Sequence, residues 1–144
     1  MIEQDTIRLL RECDAGVQMG VSAIDEVLQF VRSDDMRTRL SACKREHEEL
    51  GTQIRQSLDR YGDDGKEPNP IAKGMSWLKT NAELRIKPSD STAAALVTDG
   101  CNMGVKSLNQ YLNEYEAADE HSKDVAKRLI HLEEKLTADM LGYL

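Results

Sequence analysis

Cysteine is sparse and scattered: Cys13, Cys43 and Cys101 form no CxxC unit, and three thiols cannot all pair within one chain. A disulfide framework is thereby excluded, and reduced, mostly structural thiols are the expectation. No uninterrupted apolar run approaches the roughly 20 residues of a membrane-spanning helix. The opening MIEQDTIRLLREC has no positively charged leader followed by an apolar stretch and a small-residue cleavage site, so a cytoplasmic protein with no membrane partner is expected. No phosphate-binding glycine loop, serine-centred hydrolase turn, dense cysteine array or HExxH segment occurs. Aromatic side chains are few, at 4% of the chain. Trp77, within GMSWLKTNAEL, is expected to anchor a connecting segment, Tyr111 and Tyr115 to seal one end of a core, and Tyr143 to support a partner contact.

Charge and patterning are plentiful. The 19 basic and 26 acidic side chains give a formal charge of −7. That field repels a phosphate backbone and argues against nucleic acid as a partner. At 144 residues the chain fits one domain, residues 1–144, with enough core to dispense with metal or disulfide staples.

The strongest internal signal is an echo. VQMGVSAIDEVL (Val17–Leu28) and CNMGVKSLNQYL (Cys101–Leu112) align at an offset of 84 residues, 103 − 19, so that Met19 falls on Met103, Gly20 on Gly104 and Val21 on Val105. Each copy precedes a polar joint and a second amphipathic run, which implies two successive helical hairpins. Ile7, Leu10, Val17, Val21, Ile24, Leu28 and Val31 recur at threes and fours, making one apolar stripe on a helix. Val97, Cys101, Val105, Leu108, Leu112 and Tyr115 repeat the pattern. Gly20 and Gly104 interrupt good helix formers at up to about 1 kcal/mol each, and a close helix crossing is the reason favoured over room for a ligand.

In chain order, helix one is expected over Glu3–Val31, and helix two from a Ser33 or Asp34 cap to Arg60, with Leu40, Cys43, His47, Leu50, Ile54 and Leu58 inward. YGDDGKEPNP breaks the helix, and a shorter helix is expected within Ile71–Ile86. A cap among Ser89, Asp90 and Ser91 begins helix three, which runs to about Tyr115. Helix four places Val125, Leu129, Leu132, Leu136 and Met140 on its core stripe. The long segment between Tyr61 and Ser91 suits a return along the bundle, leaving helices two and three parallel. The fold class is all-α: an up-down-down-up four-helix bundle with a long, partly helical crossover between helices two and three.

Two polar residues point inward, His47 on helix two and Asp14 on helix one, and both need compensation there. With a turn near Ser33, Asp14 should stand opposite Thr52 and His47 opposite Met19, about 7 Å apart along the axis. That separation disfavours a shared metal site. Glu46, Glu48 and Glu49 form an acidic cluster beside His47, read first as a solvated face. The metal candidates are therefore Asp14, His47, Glu46 and Glu49. His131 repeats His47 at the echo's offset but lies on a flank, and His121 sits at a joint. A carboxylate-bridged dimetal bundle needs Glu-x-x-His, whereas Lys44 and Arg128 occupy the required positions.

The ordered set RECDAG, SDDMRTRL, GMSWLK and TDGCNMG resembles the ferritin-like superfamily, and within it a family of small uncharacterised bacterial helical proteins linked to a stress-associated domain of unknown function. The resemblance spans Thr6 to about Leu136. It implies the bundle, and it implies for such relatives iron or another divalent metal with oxygen chemistry, which the missing Glu-x-x partners prevent from carrying over intact. The expected function is a non-enzymatic bundle acting through structural roles or protein association, including a homo-oligomer. The alternatives are a degenerate metal-binding protein with oxidative activity and a small-ligand carrier using space near Gly20 and Gly104.

Overall fold

A computed structural model describes residues 2–63 and 83–144. Its elements are α1 (Ile2–Leu28), α2 (Asp34–Arg60), the four-residue α3 (Glu83–Ile86), α4 (Asp90–Glu114), α5 (Glu120–Met140) and a final 3-10 turn over Leu141–Tyr143. The four long helices form the expected all-α bundle, up-down-down-up, with the crossover between α2 and α4. Trp77 and most of the expected Ile71–Ile86 helix lie outside the described residues.

The caps fix the boundaries. Ser33, extended at ψ 127°, accepts a hydrogen bond from Met36 N at 3.2 Å, and Ser89 accepts one from Thr92 N at 3.0 Å. Asp119 does the same for α5, accepting from Ser122 N at 2.8 Å. Helix α1 stops at Leu28 rather than Val31, because the chain must leave helical geometry in time for Ser33 to adopt its cap conformation. Val31 stays buried even so. At the end of α2, Gly62 takes the left-handed φ of 67° that glycine tolerates without strain.

Hydrogen bonds between hairpins set the register. The Asp90 carboxylate at the start of α4 accepts from Arg32 N (2.7 Å) and Ser33 N (3.0 Å), clamping the α1–α2 turn. At the other end, Ala117 N donates to Asp5 and Asp119 N to Thr6 Oγ1. Helices α1 and α4 therefore run antiparallel. Gly16 and Gly20, one turn apart on α1, face α5 at ordinary contact distance: a side-chain carbon at Gly16 meets Leu129 Cδ2 at 3.5 Å, and one at Gly20 meets Glu133 Oε1 at 3.9 Å. The tight neighbour at Gly20 is the ring of His47 on α2, at 3.0 Å, rather than a closely crossing helix backbone.

The core is divided in two. One apolar cluster gathers Ile24, Val27, Met36, Leu40, Val97, Leu136 and Met140 near the α1–α2 turn. The other gathers Leu9, Leu10, Val17, Leu50, Ile54, Leu108 and Leu129, with Val21 and Leu132 packed against it. The stripes of both hairpins converge as their periodicity requires. Tyr111 and Tyr115 pack against the second cluster, their rings stacked with centroids 6.3 Å apart. Tyr143 packs against the first and donates its hydroxyl to Asp35.

Candidate functional site

Every long helix has a gap in its apolar stripe between the two clusters, and the gaps fall at one level. Helix α1 contributes Gly20, α2 His47, α4 Gly104 and α5 Glu133. A side-chain carbon on Gly20 would sit 3.0 Å from both Cδ2 and Nε2 of His47, and one on Gly104 3.5 Å from Glu133 Cδ. The imidazole and the carboxylate take up the room that the two echo glycines leave. This is the space assigned above to a small ligand.

His47 is 1% exposed, and both of its ring nitrogens face acceptors. Nδ1 lies 2.8 Å from the carbonyl oxygen of Cys43, one turn back on α2, and 3.5 Å from the sulfur of the same residue. Nε2 faces Glu133 Oε1 at 3.4 Å. A neutral imidazole has one N–H and satisfies only one such side, whereas the imidazolium satisfies both. Burial opposes the charge, but the interactions with Cys43 and Glu133 outweigh it and push the pKa up to about 10.

The other sequence candidates are placed elsewhere. Asp14 is 1% exposed, accepts from Gln18 Nε2 at 3.0 Å and pairs with Arg55 Nε at 3.6 Å. Gly20, which touches His47, lies six residues further along α1 than Asp14, about 9 Å of helical rise. Glu46 faces Lys135 Nζ at 3.7 Å. Glu46, Glu49 and Asp124 line a cleft of about 490 Å³ between α2 and α5, together with Arg128 and the exposed His131. His121 stands at the joint, within 3.2 Å of Ser57 Oγ. Of the four residues named above as metal candidates, Glu46 and Glu49 line the same cleft, while Asp14 and His47 are engaged by other partners.

Ferritin-like bundles imply a metal centre, and the described residues do not fit one. No group of three or more His, Cys, Asp or Glu side chains among them is arranged to hold a metal ion. In His47, Nδ1 and Nε2 point to opposite partners, so Cys43 and Glu133 cannot join one ring nitrogen around a single ion. Asp14, the other inward acid, is held by a guanidinium.

The three thiols differ in their surroundings. Cys13, in the second cluster, is fully buried, and that burial pushes its pKa up to about 12 with help from Glu12 and Asp14. Burial also raises Cys101, and the Glu133 carboxylate adds to the shift. Cys43 is the thiol beside an imidazole.

Sequence reasoning missed Glu133. Its signal is present in the sequence, since it stands four residues after Leu129 and three before Leu136 and so shares their stripe. Arg55, the partner of Asp14, is likewise absent from the sequence-predicted set. No helix among the described residues is long and apolar enough to cross a membrane. No family model, curated protein or solved structure matches the chain.

Proposed function

We propose that this chain is a non-enzymatic helical bundle, related to small ferritin-like proteins, that works by associating with protein surfaces, a second copy of itself first among them. Two features support the reading. His47 and Asp14 are buried and engaged by neighbours, His47 by the Cys43 carbonyl and Glu133 and Asp14 by Gln18 and Arg55. The surface, by contrast, leaves large apolar side chains in water.

The observation that carries the proposal is the exposure of the two echo methionines. Met103 is 71% exposed and Met19 38%. They lie at about the same height on the antiparallel α1 and α4, because Gly20 and Gly104, one residue on from each, both approach Glu133. Methionine at a surface is an adaptable apolar contact, suited to meeting another protein.

Light scattering over a concentration series tests this. The expected result is a dimer that the Met103→Lys, Met19→Lys double variant converts to monomer with its helical content intact. A monomer at every concentration removes the second copy as partner. Stoichiometric internal iron, manganese or zinc after anaerobic loading overturns the reading in favour of a metal protein.

A further inference from the structure

A second, smaller cleft of about 210 Å³ lies between α2 and α5, lined by Arg39, Cys43, Glu46, Lys135 and Asp139 among others. Cys43 is 8% exposed, against 0% for Cys13 and 4% for Cys101. Behind it, its sulfur is 3.5 Å from Nδ1 of His47, and Nε2 of that ring faces Glu133 Oε1 at 3.4 Å. Thiol, imidazole and carboxylate thus follow one another in the order in which a nucleophile, the group that activates it and the group that holds the activator are arranged.

We infer that Cys43 is a modification site: the thiol of this chain that reacts with small hydroperoxides arriving through the α2–α5 cleft. Three observations combine. Cys43 is among the residues that line the α2–α5 cleft. The Nδ1 of His47 lies 2.8 Å from the Cys43 carbonyl oxygen and 3.5 Å from the sulfur, which puts an imidazole nitrogen beside the thiol. The carboxylate of Glu133 fixes the ring from behind, and Gly20 leaves the space that the ring occupies.

The step balances with hydrogen peroxide as the oxidant. A sulfur lone pair of Cys43 attacks one peroxide oxygen, the S–O bond forms and the O–O bond breaks. Sulfur is oxidised to sulfenic acid and the peroxide is reduced; the departing hydroxide takes up the proton released by the thiol and leaves as water. Cys13 lies in apolar surroundings, and Cys101 lies beside a carboxylate that disfavours its thiolate, so neither shares this chemistry.

The experiment treats the folded full-length chain with hydrogen peroxide in the presence of dimedone and maps the adducts by mass spectrometry after digestion. Labelling of Cys43 is expected to exceed that of Cys13 and Cys101 by about tenfold or more. His47→Gln is expected to slow Cys43 labelling by about the same factor while the helical circular dichroism is retained. Equal labelling of the three thiols, or labelling of Cys43 only in urea that unfolds the chain, overturns the site. A folded His47→Gln that labels at the wild-type rate overturns the role of the imidazole. Should that variant not fold, the comparison among the three thiols of the unaltered chain decides.

Discussion

His47 Nε2 and Glu133 Oε1 face each other at 3.4 Å across the two hairpins, 86 residues apart in sequence, at the level where the apolar core is interrupted. The pair is the polar tie at the waist of the bundle, with an apolar cluster on either side of it. At 3.4 Å it is longer than the charge-assisted bonds of roughly 2.7–2.9 Å. Its value therefore lies in leaving neither charge alone in the interior more than in the bond itself.

Breaking the tie on one side should be costly. Glu133→Gln removes the charge opposite a buried imidazolium, and removal of one partner of a buried pair costs about 3–5 kcal/mol. Urea unfolding at neutral pH checks this. A loss well under about 1 kcal/mol would mean that His47 is neutral in the folded chain.

The same pair makes stability depend on pH in a defined direction. His47 is raised from 6.5 to about 10 by its interactions with Cys43 and Glu133, against the opposing effect of burial. A group raised on folding binds more protons in the native state. Its contribution is fully present below about pH 6.5 and is lost as pH rises through about 10. The urea midpoint of the unaltered chain should accordingly fall more steeply on the alkaline side than that of Glu133→Gln.

Gly20 and Gly104 match in sequence and differ in what they permit. An alanine carbon at Gly20 meets two ring atoms of His47 at 3.0 Å, while one at Gly104 meets Glu133 Cδ at an ordinary 3.5 Å. Gly20→Ala is expected to destabilise by about 1–3 kcal/mol through overpacking. Gly104→Ala is expected to be neutral or to stabilise by up to about 1 kcal/mol through helix propensity. Paired urea titrations distinguish the two positions.

Asp90 locks the first hairpin's turn to the start of α4 through two backbone donors, Arg32 N at 2.7 Å and Ser33 N at 3.0 Å. Asp90→Ala should cost about 2 kcal/mol, the scale of hydrogen bonds to a charged group. Hydrogen exchange should show the loss first at the Arg32 and Ser33 amides.

Much of this was legible in the sequence because period and caps are local. The stripes, Ser33 as a cap, the parallel run of the second and third long helices and the inward aim of His47 and Asp14 all follow from spacing. Even the heights came close: His47 was placed opposite Met19 and meets Gly20, and Asp14 was placed opposite Thr52 and pairs with Arg55. The pairing across hairpins was not legible. Which residue of α5 meets His47 depends on the rotation and offset of two separately formed hairpins, and periodicity within one helix does not report either. The stripe of α5 puts Glu133 inward, but that it meets His47 shows only in the structure, where a side-chain carbon at Gly104 would lie 3.5 Å from Glu133 Cδ.

The account rests on His47 being an imidazolium held by two acceptors, and nitrogen-15 NMR of its side chain tests that most directly. At about pH 8, well above the ordinary histidine range, both ring nitrogens of His47 should carry protons, and Glu133→Gln should shift that state toward the neutral ring. A neutral His47 imidazole at that pH in the unaltered, folded chain would contradict it.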